Sequence, residues 1–327
     1  MHIVVQILLL VVGFVCLVKG ADVFVSGSSA LARFFRVPGL IIGLTIVALG
    51  TSAPELAVST LAAVEGSNEI ALSNVIGSNI FNLLCVLGIC AIICPLPVER
   101  AVLRRDFPVS IVTTAVFFIS VAGTAILDGT LRRSNEVHQE ISVITRWHAG
   151  VLVAVFIAYI AYLIYAARKN ETEDGSVEQM PLWKCALLII LGLAFIIGGG
   201  QAVVTAAKEI AAALGMSETL IGLTIVAIGT SLPELVTSIV AARKGETGLA
   251  IGNVVGSNIF NLLFILGVSA MIHPIAVNIA SVYDMIILLG VSILSFVFAY
   301  SAKRIASLEG WIMVVIYVAD VVFAILR

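Results

Sequence analysis

The sequence predicts an all-α membrane protein of ten transmembrane helices, arranged as two inverted five-helix repeats with the second and seventh helices broken. Three observations carry this expectation. First, the 327 residues are 61% apolar and only 12% charged, about half the charged fraction of an ordinary soluble domain. Mean hydropathy is +1.16, so polar side chains are too few to cover the exterior and most of it must face hydrocarbon. Second, ten apolar runs are each long enough to cross a bilayer core of about 30 Å. Third, a long segment of the first half recurs in the second half.

The ten runs span 3–32, 38–64, 70–94, 107–127, 148–167, 182–214, 219–242, 248–272, 282–300 and 308–326. The first and sixth are longer than a bilayer requires, so each must tilt or extend beyond the hydrocarbon. The breaks Lys19-Gly20-Ala21-Asp22 and Gly198-Gly199-Gly200-Gln201 are expected to let them bend. If the N-terminus lies outside, 13 of the 18 Lys and Arg residues fall on the inner side, which sets both termini outward. The first run has neither a basic leader nor a small-residue cleavage site, so it is expected to remain as a helix. Between the halves runs a short acidic connection with Glu171, Glu173, Asp174 and Glu178, read as a solvated linker. The chain accordingly divides into 1–168, 169–181 and 182–327.

Net charge is −2. No basic excess is available to neutralise a phosphate backbone, which argues against nucleic acid as a partner. The five cysteines are odd in number and sit in apolar runs, so no disulfide framework is implied. Cys90 and Cys94 share a helix face, but no His or acid lies in that run to complete a soft-metal site.

Residues 43–88 align without gaps on 222–267 at a constant offset of 179, with identity at 29 of 46 positions. One copy reads GLTIVALGTSAPELAVSTLAAVEG and then NVIGSNIFNLL; the other reads GLTIVAIGTSLPELVTSIVAARKG and then NVVGSNIFNLL. Five runs precede the linker and five follow it, so the copies enter the membrane in opposite senses. Such pairs meet about an axis in the membrane plane, near mid-bilayer.

Pro54 and Pro233 lie inside their helices, and each removes a backbone donor from the carbonyl one turn earlier. Both helices should break there, freeing carbonyls around 48–51 and 227–230. Free carbonyls are tolerable within a membrane only where they line a cavity or coordinate something. Directly after each proline stands a carboxylate, Glu55 or Glu234, at a depth where charge is expensive and function is the default explanation. Around them the repeats supply oxygen alone: Thr51, Ser52, Ser78, Asn79 and Asn82 in one copy, Thr230, Ser231, Ser257, Asn258 and Asn261 in the other. Carboxylate, hydroxyl, amide and carbonyl oxygens suit hard cations such as calcium and sodium rather than zinc or copper. Ser78 and Asn82 share a helix face at i, i+4, as do Ser257 and Asn261; Asn79 and Asn258 fall on another face and are read as partners for freed backbone groups. For Gly77, Gly88, Gly256 and Gly267, close helix packing is the preferred reading. Ser59 and Ser238 fit packing or pathway lining equally.

The paired G-T-S-x-P-E and G-S-N-I-F-N motifs resemble the alpha repeats of the calcium/cation antiporter superfamily, prokaryotic type, which includes sodium/calcium exchangers. This resemblance covers all ten runs. It implies a multi-pass protein of a prokaryotic inner membrane that exchanges Ca2+ for Na+ by alternating access and needs no cofactor. By motif position, Glu55 and Glu234 match the central calcium-binding acids. Thr51, Ser52, Ser78, Thr230, Ser231 and Ser257, with the backbone carbonyls of Ala48 and Ala227, match sodium ligands. Asn82 and Asn261 form a symmetric pair where many relatives carry an Asp in the second copy. The formal charge of the site is then −2, matching one Ca2+ or two Na+.

Two close carboxylates in a low-dielectric site need compensation by cations or protons, which discourages an empty return and favours obligatory exchange. Protons or K+ as coupling ion remain alternatives on the same fold, and a cation channel is an alternative of another class. An enzyme ranks last, because the repeats contain no nucleophile and base arrangement. The sequence implies no oligomeric state.

Overall fold

The computed structural model describes residues 2–66, 68–127, 140–169, 180–215 and 227–326. In chain order the helices are α1 (His2–Phe34), α2 (Gly39–Thr51), α3 (Ala53–Val64) and α4, which runs through Asn68–Phe81, Asn82–Val86 and Leu87–Ile93. Next come α5 (Val102–Asp106 and Phe107–Leu127), α6 (Arg146–Lys169), α7 (Leu182–Ala213), α8 (Ala227–Thr230) and α9 (Leu232–Arg243). The last three are α10 (Thr247–Phe260, Asn261–Ile265 and Leu266–Ile272), α11 (Ile279–Ser301) and α12 (Ser307–Leu326). Among the described residues, eight helices are long and apolar enough to cross a membrane, and α2 with α3 adds a ninth crossing bent by 48°. Residues 219–226 of the seventh apolar run and 170–179 of the acidic connection lie outside the described residues.

The bend between α2 and α3 has a local cause. Ser52 leaves the helical region (ψ 11°) and Pro54 occupies the first turn of α3, where its missing N–H and fixed φ are tolerated. The same arrangement recurs at Ser231 (ψ 7°) and Pro233, between α8 and α9. Helices α4 and α10 each contain a widened turn, at Asn82–Val86 and Asn261–Ile265. Such turns concentrate at functional positions, and these two begin at equivalent asparagines.

Burial sorts the helices. In the apolar windows of α4 and α10, 72% and 78% of residues are buried, against 17% in α1, 28% in α7 and 11% in α12, so α4 and α10 form the centre. The apolar side chains left on the outer helices, such as Val4, Leu8, Ile190 and Val315, are the surface that lipid solvates.

Helices α1 and α7 are each continuous across Lys19-Gly20-Ala21-Asp22 and Gly198-Gly199-Gly200-Gln201. Glycines of these segments bring the two helices together. A Cβ built on Gly192 would stand 2.6 Å from the Phe24 amide nitrogen, and one on Gly199 would stand 2.8 Å from the Gly13 carbonyl. Gly13, Gly20 and Gly27 recur every seven residues on α1, and Gly20 faces Gly192, so the helices run antiparallel along one small-residue seam. Gly88, Gly256 and Gly267 also pack tightly, against Gly310, Leu44 and Val153 respectively, whereas a Cβ at Gly77 would meet nothing within 4 Å.

Two short antiparallel strand pairs, which the apolar runs do not anticipate, join the halves. β1 (Leu96–Pro97) pairs with β4 (Arg304–Ile305), and β2 (Glu140–Ile144) pairs with β3 (Ile275–Asn278). Each ties a connection of the first half to one of the second. The five cysteines are free thiols, with Cys85, Cys90 and Cys185 buried among apolar neighbours.

Candidate cation-binding site

Glu55 and Glu234 each lie in the first turn of a helix that begins at a break, α3 and α9 respectively. The unpaired N–H groups and the dipole of a helix N-terminus favour negative charge there. Both side chains are fully buried, at 0% exposure, in a protein whose surroundings offer no bulk water to solvate them.

Each carboxylate is held by the other half. Ser52 Oγ donates to Glu234 Oε1 at 2.7 Å, and Ser231 Oγ donates to Glu55 Oε1 at 2.8 Å. The two serines occupy the breaks themselves, so the bend that exposes one helix start also delivers a hydroxyl to the opposite acid. Ser52 Oγ lies 3.0 Å from Ser257 Oγ of α10, and Ser231 Oγ lies 3.1 Å from Ser78 Oγ of α4. Thr51, fully buried, places Oγ1 2.9 Å from Asn253 Oδ1, and Thr230 lies beside Glu55. The fold thus brings Glu55, Glu234, Ser52, Ser231, Ser78, Ser257 and Thr51 into one buried cluster, with the half-buried Thr230 at its edge.

The asparagines divide by task. Asn79 Nδ2 donates to the Asn258 carbonyl and Asn258 Nδ2 to the Asn79 carbonyl, both at 3.2 Å. They therefore join α4 to α10 rather than serving the carbonyls at the breaks. Asn261 Nδ2 donates to Asn79 Oδ1 at 3.1 Å, while neither polar atom of Asn82 has a hydrogen-bond partner. The Asn82/Asn261 pair, symmetric in sequence, is thus asymmetric in bonding.

The backbone at the breaks is less open than the sequence suggests. The Ala48 carbonyl accepts the Ser52 N–H at 3.1 Å and lies 3.4 Å from Thr51 Oγ1. In the second half the Ser231 N–H turns instead to the Ile228 carbonyl at 3.2 Å. Ala227 is the first residue of α8.

Asn74 and Asn253 were not singled out from the sequence. Asn74 Nδ2 donates to Ser59 Oγ (2.9 Å) and the Glu55 carbonyl (3.3 Å), and Asn253 Nδ2 to Ser238 Oγ (3.0 Å) and the Glu234 carbonyl (3.4 Å). They fasten the two acid-bearing turns to α4 and α10, and Ser59 and Ser238 serve as their acceptors. The available signal was their identity at offset 179 at the head of both N-V-x-G-S-N strings.

Glu55 Oε2, Glu234 Oε2, Asn82 Oδ1, Asn261 Oδ1 and Asn258 Oδ1 are buried acceptors without a hydrogen-bond partner. Buried polar atoms are normally satisfied, and each exception calls for an explanation; carboxylate and amide oxygens are of the donor type that suits a hard cation. Among the described residues, no group of three His, Cys, Asp or Glu side chains converges as a metal cluster. Any cation held here therefore relies on hydroxyl, amide and carbonyl oxygens beyond the two glutamates.

Comparisons with known proteins point the same way. The family described as sodium/calcium exchanger protein matches residues 5–165 and 184–326. The putative antiporter CaxA of Alkalimonas amylolytica is 37% identical over 278 residues, 83% of this chain and 82% of that relative. The sodium/calcium exchanger MaX1 of Methanosarcina acetivorans is 31% identical over 349 residues, 98% of each chain. A solved structure of the sodium-calcium exchanger NCX_Mj, soaked with Na+ and Sr2+, superposes with a TM-score of 0.82 at 30% identity, covering 98% of both chains.

Proposed function

The chain belongs to the sodium/calcium exchanger family, and from that premise we propose that it exchanges Ca2+ for Na+ across a prokaryotic inner membrane by alternating access. The observation that carries this reading is the pair of crossed bonds by which Ser52 holds Glu234 and Ser231 holds Glu55. Neither half makes the site alone. A cation held between the acids offsets the charge that makes their burial expensive, and Ca2+ and Na+ compete because both require the same two carboxylates.

On this reading the ligands are Glu55 and Glu234 with Thr51, Thr230, Ser52, Ser231, Ser78, Ser257, Asn82, Asn261 and the carbonyls of Ala48 and Ala227. The unpaired acceptors support it. The halves, 1–168 and 182–327, are inverted five-helix repeats joined by the inner linker 169–181, with ten crossings and both termini outside. Support comes from the constant offset of 179, which relates Asn79 to Asn258 across their reciprocal bonds, and from the antiparallel seam of α1 and α7. The protein acts as a carrier rather than an enzyme and takes no resident cofactor. Its two formal charges match two Na+ for one Ca2+, an electroneutral cycle.

The test is calcium-45 uptake by proteoliposomes loaded with Na+. Wild type takes up Ca2+ only when Na+ flows outward, with no net current, and Glu55→Gln or Glu234→Gln each lowers uptake at least a hundredfold. Full uptake in either variant removes the shared site, and a large current removes the two-for-one ratio.

A further inference from the structure

A cavity of about 250 Å³ lies where the end of α1, the chain into α2 and the start of α10 meet, lined among others by Ser29, Arg33, Arg36, Gly39 and Glu246. Ser29 is 5% exposed and its hydroxyl has no hydrogen-bond partner. A buried hydroxyl on the wall of a basic cavity, with nothing to receive its proton, calls for an acceptor.

Arg36 stands in a conformation that its residue type rarely adopts. The Arg36 N–H donates to the Arg33 carbonyl at 3.1 Å and the Val37 N–H to the Ala32 carbonyl at 3.0 Å, a helix-ending turn whose left-handed position ordinarily takes glycine. Arg36 fills that position at φ 54°. The other half has the glycine. Helix α7 ends at Ala213, 179 residues after Phe34, and Gly215, 179 after Arg36, has φ 84° and donates to the Ala212 carbonyl at 3.0 Å. The helix dipole accounts for a cation such as Arg33 in the last turn of α1, but not for a strained one beyond it; strain retained at one residue points to a task for its side chain. The counterparts of Ser29 and Arg33 are Lys208 and Ala212, and Lys208 lines a different cavity, of about 320 Å³, with Gln201 and Thr205. The serine and two arginines therefore come together in one half alone.

We propose that Ser29, Arg33 and Arg36 bind a phosphate group, supplied by the headgroup of an anionic phospholipid or by a soluble phosphate. The outward termini of the reading above place this cavity at the inner face; the binding itself does not depend on ion exchange. Guanidinium forks match phosphate oxygens in pairs, and the Ser29 hydroxyl supplies a further donor from the buried wall. Glu246 is the opposing group. Its Oε1 lies 3.8 Å from Arg33 Nη1, beyond hydrogen-bond length, so the acid does not saturate the fork. Two guanidiniums against one carboxylate leave one positive charge, which a single phosphodiester anion neutralises. Basic pockets between helices at the cytoplasmic face suit lipid headgroups for this reason.

The experiment titrates the purified protein in detergent micelles with phosphatidylglycerol and, as control, phosphatidylcholine, counting bound lipid by native mass spectrometry; inorganic phosphate is titrated by calorimetry. A lipid source gives one phosphatidylglycerol retained per chain in preference to phosphatidylcholine, whereas a soluble source gives phosphate binding without lipid. In either arm Arg36→Gly and Arg33→Gln each weaken binding about tenfold, and Ser29→Ala about threefold. Arg36→Gly installs the residue that the equivalent turn already holds, so it removes the charge and keeps the fold. Lys303→Gly relieves the other left-handed basic residue, at φ 53° and outside the cavity, and leaves binding unchanged. Binding of neither phosphatidylglycerol nor phosphate, or equal binding by wild type, Arg36→Gly and Arg33→Gln, overturns the proposal. Ca2+ uptake is not the readout, so that failure leaves the exchange reading intact.

Discussion

The two ends of the α1 and α7 pair occupy equivalent places in the repeat but are built differently. At one end, Lys244 of the α9 terminus reaches Asp22 Oδ1 (2.7 Å), the Asp22 carbonyl (2.9 Å) and Ser26 Oγ (2.7 Å) of α1. All three ammonium protons have an acceptor. Arg33 and Glu246 lie 3.8 Å apart along the same junction. At the other end the corresponding residues are Gln201, Thr205 and Glu65, which cannot form an ion pair, and Gln201 and Thr205 line the cavity of about 320 Å³. One end is fastened and the other open. In the centre, by contrast, the serine–glutamate pairs and the reciprocal Asn79–Asn258 bonds match at offset 179. The halves therefore correspond most closely at the buried serine–glutamate pairs and differ most where α9 meets α1.

The largest disturbance of this comparison is a side chain in the seam both ends share. Gly192→Leu places atoms where even a Cβ would stand 2.6 Å from the Phe24 backbone. Overpacking of this kind costs about 1–3 kcal/mol or more, and the account expects uptake below about a tenth of wild type with a lowered melting temperature. Gly198→Ala, whose Cβ meets nothing within 4 Å, is the control and retains wild-type behaviour. Equal loss in both variants would break the argument.

A smaller effect follows from unfastening one end. Lys244→Met removes three bonds from a partly exposed junction, worth about 1 kcal/mol at most for an ion pair of this exposure. Amide hydrogen exchange in 17–26 of α1 should then accelerate up to about fivefold, while Lys208→Met, at the open end, leaves α7 unchanged. Equal acceleration at both ends would remove the distinction between them.

The residues that were legible in the sequence are those whose cost has no structural excuse. Glu55 and Glu234 stand after prolines in apolar runs, and Ser52, Ser231, Ser78 and Ser257 repeat with them at one offset, so their convergence could be expected from composition and register. Asn74 and Asn253 repeat equally well, but a helical asparagine beside a serine looks like a solvated or packing position until its acceptor is known. The carbonyl of Ala48 could be foreseen at a break, whereas its bond to the Ser52 N–H depends on a local turn that proline spacing does not specify. The glycines of α1 and α7 are ambiguous in another way: the same residue permits a bend or a close approach, and the close approach shows only once the neighbouring helix is in place. The strand pairs join segments over 130 residues apart through as few as two residues, too short for any periodic signal.

The central claim is that one cation is shared by acids from both halves, and equilibrium binding of calcium-45 to the purified protein tests it most directly. The account predicts that Glu55→Gln and Glu234→Gln each abolish binding, that the double variant is no worse than either, and that Na+ displaces Ca2+ from wild type completely. Half the wild-type binding capacity surviving in each single variant, with loss only in the double, would mean two independent sites and contradict it.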